Sequence, residues 1–137
     1  WAGVPLPREE ARKVVERHML NPDEFFRELP FPSLSYDHPS YNPKSYWRGR
    51  IWPHFVYWMI QTLWRNGYER EAELTAARLL DMLGQTPWYM ENYQSTQEGL
   101  RAEPGKYSRP EYNWSQATVI ELLLERYKEP LRAAQRR

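Results

Sequence analysis

Cysteine is absent from the 137 residues, which excludes a disulfide framework, a thiolate zinc site and a cysteine nucleophile. Neither sign of charge dominates: 19 basic and 18 acidic side chains leave a net charge of +1, so no global field draws the chain to nucleic acid or anionic lipid. The longest mostly apolar run, Phe55 to Trp64, is shorter than the roughly 20 residues a bilayer crossing needs, so no membrane span is expected. The first residues, "WAGVPLPREEARK", have neither the basic start nor the apolar core of a signal peptide. They resemble the interior of a longer protein, and a cytoplasmic location is expected. Three histidines stand too far apart, at 18, 38 and 54, to suggest a metal ligand set.

Aromatic residues, by contrast, make up 15% of the chain, and there are 12 prolines. Both gather in the connecting stretches. The length suits one domain, residues 1–137, with one core. Pro7, then two acids, then Ala11, Val14, Val15 and Met19 at helical spacing predict a first helix over about 8–20. "PHFVYWMIQTLWR", 53–65, is apolar nearly all round and reads as a helix enclosed by protein, stopped by the glycine of "NGY". "EREAELTAARLLDML", 69–83, places Ala72, Ala76, Leu79, Leu80 and Leu83 on one stripe, as an outer helix does. A last helix is expected over about 115–127, carrying Val119, Ile120 and Leu122 to Leu124, with the basic tail "RAAQRR" frayed beyond it. No strand pattern appears, so the fold class is all-α, built of helical hairpins.

Two long connections break every period. The first runs from Asn21 to Ser45 and holds Pro22, Pro30, Pro32, Pro39 and Pro43; its aromatic content argues against disorder. It leads into "SYWRGRIWPHFVYW", where seven rings fall within fourteen positions. Tyr46, Trp47 and Trp52 suit either core packing or the C–H face of a sugar. Arg48 offers a planar fork of donors, and Gly49 permits a close backbone approach or a sharp turn. The second connection centres on "WYMENYQ". There Glu91 lies among Trp88, Tyr89 and Tyr93, where a carboxylate needs partners or a role in proton transfer. Asp37, Glu98, Glu103 and Glu111 are its rivals.

Taken together and in this order, "YWRGRIWP", "MENYQSTQEG" and "YNWSQA" resemble the carboxy-terminal part of glycoside hydrolase family 63. The glutamine of "NWSQA", together with "LPREEARKVVERHML" and "FPSLSYDHPSY", is similar to the subgroup acting on mannosylglycerate or glucosylglycerate. The resemblance implies an inverting α-glycosidase on an (α/α)6 toroid of helix pairs, of which this chain is the carboxy-terminal portion. It further implies that Glu91 is the general base, that Tyr46, Trp47 and Trp52 bound the sugar subsite, and that Arg48 anchors the loop or touches ligand. Gln116 would hydrogen-bond sugar or glycerate. The family's acid is an aspartate in an earlier segment, and Asp37 is not at its place. The implied partners are thus a small sugar-glycerate substrate and the remaining part of the catalytic domain; no cofactor is implied, and homo-oligomerisation stays open. Two readings of another class compete: a helical interaction module, in which Tyr46, Trp52 and Gln116 would point in unrelated directions, and a sugar-binding module without catalysis, in which Glu91 would sit in a structural ion pair.

Overall fold

A computed structural model describes residues 7–29, 31–85, 88–94 and 108–135. The fold is all-α. Four helical segments are found among the described residues: α1 Arg8–Val14, prolonged by a π-helical turn Val15–Met19, then α2 Pro53–Arg65, α3 Glu69–Gly84 and α4 Asn113–Gln135. The only sheet-like pairing among them consists of isolated bridges that tie Ile51 to Pro32 and to Tyr93.

The hairpin of α2 and α3 is the heart of the core. Along α2 the residues at helical spacing, Val56, Ile60 and Leu63, are buried, and each such side chain contributes roughly 1.5–3 kcal/mol of apolar transfer. The bulky Phe55, Tyr57, Trp58, Met59 and Trp64 are half-buried, as expected of a helix enclosed by protein. Its end is set by Gly67 at φ 82°: the Gly67 N–H donates to the Trp64 carbonyl and the Tyr68 N–H to that of Leu63. This is the Schellman arrangement that glycine makes strain-free. The chain reverses there, and α3 lays Ala72, Ala76, Leu79 and Leu83 against α2. Thr75 and Met82 join that buried face.

Helix α4 also packs against α2 and runs in the same direction. His54 meets Trp114 at their amino ends, with ring centroids 4.8 Å apart. Further along, Glu125 accepts hydrogen bonds from Gln61 Nε2 at 2.9 and 2.8 Å and from the Tyr57 hydroxyl at 3.2 Å. Because this clasp is exposed, Glu125→Ala is expected to cost only about 1 kcal/mol, read as a small drop in the urea midpoint at unchanged slope. Val119 and Leu122 face the core, whereas Ile120, Leu123 and Leu124 are exposed. An apolar side of α4 therefore has no cover among the described residues.

Three expectations are corrected. The spacing puts Val14 on the core stripe, but it is 44% exposed; the helix widens one residue later, where the Leu20 N–H bonds to the Val15 carbonyl, five residues back. Val15 and Met19, on the same predicted stripe, are buried on either end of that wider turn. Helix α4 starts earlier than predicted, at Asn113, and continues past Tyr127 through Pro130 to Gln135, into the tail expected to fray, whose last two residues lie outside the described residues. One lost backbone bond at a proline is tolerated in a stretch otherwise made of helix-forming Leu, Arg, Ala and Gln.

The long first connection is tied by local bonds. The Tyr36 hydroxyl donates to the Leu29 carbonyl at 2.5 Å, the Arg27 guanidinium lies 4.2 Å over the Tyr36 ring, and Phe26 meets Phe31 edge to face. Burial, above all, pushes the Tyr36 phenol up. The aromatics that argue against disorder thus pin this segment to itself.

Candidate active site

Ile51 and Tyr93 exchange both backbone hydrogen bonds, each 2.8 Å long, as an antiparallel hydrogen-bonded pair does. This couples the end of the first connection to the heart of the second. The Ser33 N–H donates to the Arg50 carbonyl, Glu91 N–H to that of Arg109, and Tyr112 N–H to that of Tyr89. The Ser115 hydroxyl closes the set on the Met90 carbonyl at 2.6 Å, tying the first turn of α4 to the residue before Glu91.

Glu91 itself is 8% exposed. The Tyr46 hydroxyl donates to its Oε1 at 2.6 Å, across 45 residues of chain. That bond, followed by burial, pushes the Tyr46 phenol up to about 12, so it stays a donor throughout the neutral range. Among the described residues no cation forms an ion pair with Glu91, and none donates to its Oε2. Among the described residues one carboxylate oxygen receives a hydrogen bond and the other receives none.

Beside it stands a wall of rings. Trp47 and Trp52 lie face to face, 3.9 Å between centroids and 7° from parallel. Tyr46 abuts Trp52 edge-on at 4.8 Å. Trp52 is buried at the start of α2 while Trp47 is 49% exposed, so the stack has one covered plane and one facing outward. His54, in the first turn of α2, touches Trp52, Phe55, Trp58 and Trp114. Burial lowers the pKa of its imidazole, with the field of Glu91 opposing.

The remaining predicted residues divide. Arg48 is exposed, and its Nε donates to Ser45 Oγ at 3.1 Å, so it anchors its own loop. Gly49, at φ 145°, is needed for a close approach, but to protein: a Cβ there would lie 2.7 Å from Tyr41 Cε2 and 3.0 Å from the Asn42 carbonyl carbon. Gln116 is half-buried in the first turn of α4, one residue beyond Ser115. Of the rivals to Glu91, Asp37 is exposed and accepts a bond from Ser35 within its own turn, Glu111 is exposed at φ 57°, and Glu98 and Glu103 lie outside the described residues. His18 and His38 are exposed, and no group of three potential metal ligands is found among the described residues.

Two residues at the site have no counterpart among the sequence-based expectations. Arg50 and Asn92 are both fully buried, and Arg50 Nε donates to Asn92 Oδ1. The second arginine of "YWRGR" is the available signal, since a charged side chain between Gly49 and a run of apolar residues has to find a buried partner.

The mannosylglycerate hydrolase MGH1-like glycoside hydrolase domain matches residues 1–115. No curated protein matches. Among solved structures, an uncharacterized conserved protein from Thermus thermophilus superposes with a TM-score of 0.66 at 18% identity, covering 90% of this chain and 29% of that one. The likeness is one of fold, and the chain spans less than a third of that protein. No helix among the described residues is long and apolar enough to cross a membrane.

Proposed function

The chain belongs to the mannosylglycerate hydrolase MGH1-like glycoside hydrolase domain family, and from that premise we propose that it is the carboxy-terminal portion of an (α/α)6 catalytic domain, supplying the general base and one wall of the sugar pocket. The observation that carries this reading is the Glu91 carboxylate. It is buried, one oxygen fixed by Tyr46, beside a parallel indole pair with an outward plane. A base that is to take a proton from water needs one oxygen held still and the other open to that water.

In the inverting scheme, an acid on the remaining part of the domain protonates the departing glycosidic oxygen as Glu91 deprotonates a water on the opposite face of the ring. The two carboxyl groups then stand roughly 6.5–9.5 Å apart to admit that water. Trp47 and Trp52 provide the stacking surface and Tyr46 orients the base. Gln116 reaches the sugar or the glycerate. Arg48 and Gly49 act at one remove, by shaping the loop that carries Tyr46 and Trp47. The uncovered apolar side of α4 fits helices of the same domain. Against an interaction module speaks the convergence of Tyr46 and Trp52 with Glu91, and against a non-catalytic sugar binder the lack, among the described residues, of an ion pair to Glu91.

The test is incubation of the complete domain with mannosylglycerate and with glucosylglycerate. Free sugar and glycerate are expected from at least one of them, the sugar appearing first as the inverted anomer by proton NMR. The 137-residue chain alone should release neither. Retained configuration, full-rate turnover by the chain alone, or no release from either compound would each overturn the proposal.

A further inference from the structure

The turn between α2 and α3 contains the pair Asn66 and Gly67, and this pair has chemistry independent of the sugar site. Where glycine follows asparagine, the glycine nitrogen is unhindered by a side chain and flexible enough to attack the asparagine amide carbon. The other asparagines of the chain lack that neighbour. Asn21 and Asn42 precede prolines, whose nitrogen has no proton to lose, and Asn92 and Asn113 precede the bulky Tyr93 and Trp114.

Both reacting groups of the turn are occupied in ending α2. The Gly67 N–H donates to the Trp64 carbonyl at 3.1 Å, which holds its proton in place. Asn66 Nδ2 donates to the Thr62 carbonyl at 2.7 Å, so the side chain folds back along the helix. Ring closure would need the Gly67 nitrogen beside Asn66 Cβ, and with Asn66 at ψ 8° that nitrogen is turned well away. Gly67 at φ 82° keeps it there, because the Tyr68 N–H then reaches the Leu63 carbonyl at 3.0 Å.

We propose that Asn66 is a latent deamidation site, shut while the cap of α2 is formed and exposed to reaction when that cap opens. In the open turn the Gly67 nitrogen bonds to Asn66 Cγ and the Cγ–Nδ2 bond breaks. The proton lost from Gly67 leaves with Nδ2 as ammonia, and a five-membered imide remains. Water adds to either imide carbonyl, and the ring opens to aspartate or to isoaspartate, whose main chain runs through Cβ. Amide and water thus become acid and ammonia, with no oxidant or reductant involved.

The product closes the cap poorly. Nδ2, the donor to Thr62, has been replaced by a charged oxygen that faces that carbonyl and the negative end of the helix dipole. Isoaspartate also lengthens the chain ahead of Gly67, out of the spacing that the cap requires. The change runs one way: each opening that reacts leaves the hairpin at the heart of the core with a weaker turn.

The experiment incubates the complete domain in mildly alkaline buffer, folded and in urea, and follows every asparagine by peptide mapping with mass spectrometry. In urea Asn66 should convert ahead of the other asparagines; in the folded protein its conversion should be about ten-fold slower or more. Tyr68→Pro keeps the Asn–Gly pair but removes the N–H bonded to Leu63, and should speed conversion in the folded protein. Asn66→Asp should lower the urea midpoint at an unchanged slope. Equal rates in the two states, no preference for Asn66 in urea, or a native midpoint in Asn66→Asp would each overturn the proposal. So would a Tyr68→Pro protein that folds by circular dichroism and reacts at the native rate. Hydrogen exchange at the Gly67 and Tyr68 amides reads the same opening without a substitution: protection of both supports the guard, and exchange as fast as in an unfolded chain overturns it.

Discussion

Glu91→Gln in the complete domain should bind substrate almost as the native protein does and turn it over about 10²–10⁴-fold more slowly. Glutamine has nearly the same shape, and its amide oxygen still accepts the Tyr46 hydroxyl now bonded to Oε1 at 2.6 Å. What it lacks is the capacity to take a proton. Stopped assays of sugar release give kcat, and titration calorimetry gives Kd. A fall in affinity that matched the fall in rate would point to a misfolded pocket, and unchanged kcat would remove Glu91 from the chemistry.

The second large effect concerns stability. Gly49→Ala should lose about 3 kcal/mol or more, from two separable causes. A non-glycine residue at φ 145° sits in a region open essentially to glycine alone, at roughly 1–3 kcal/mol. The new Cβ would also lie 2.7 Å from the Tyr41 ring and 3.0 Å from the backbone of Asn42, and overpacking of this order costs about 1–3 kcal/mol more. The ring could turn; the backbone cannot, because the Asn42 N–H is bonded to the Arg48 carbonyl. Urea unfolding followed by circular dichroism reads the loss. A midpoint equal to the native one would show that the loop has another way to close.

The same glycine shows what sequence can and cannot convey. Its presence predicts a close approach, but nothing local says whether the thing approached is ligand or protein. Helices α2 and α3 are legible nearly to the residue, because periodic apolar positions, an initial proline and a terminal glycine all act within a turn or two. The π turn at Val15 and the passage of α4 through Pro130 are not, since each trades a local preference against packing elsewhere. The contact of Tyr46 with Glu91 spans 45 residues and is reachable only through the resemblance of ordered motifs. The partnership of Arg50 with Asn92 spans 42 and depends on the register of one two-residue bridge. Such a bridge is too short to leave a strand pattern.

That bridge has a wider bearing. Ile51 and Tyr93 fasten the stacked indoles and the proposed base, Glu91, into one small unit, and the entire α2–α3 hairpin hangs from it as a closed loop between the two halves. Lengthening or shortening the hairpin at its far tip would leave the reactive geometry where it is, so the scaffold can drift in size and composition without detuning the chemistry.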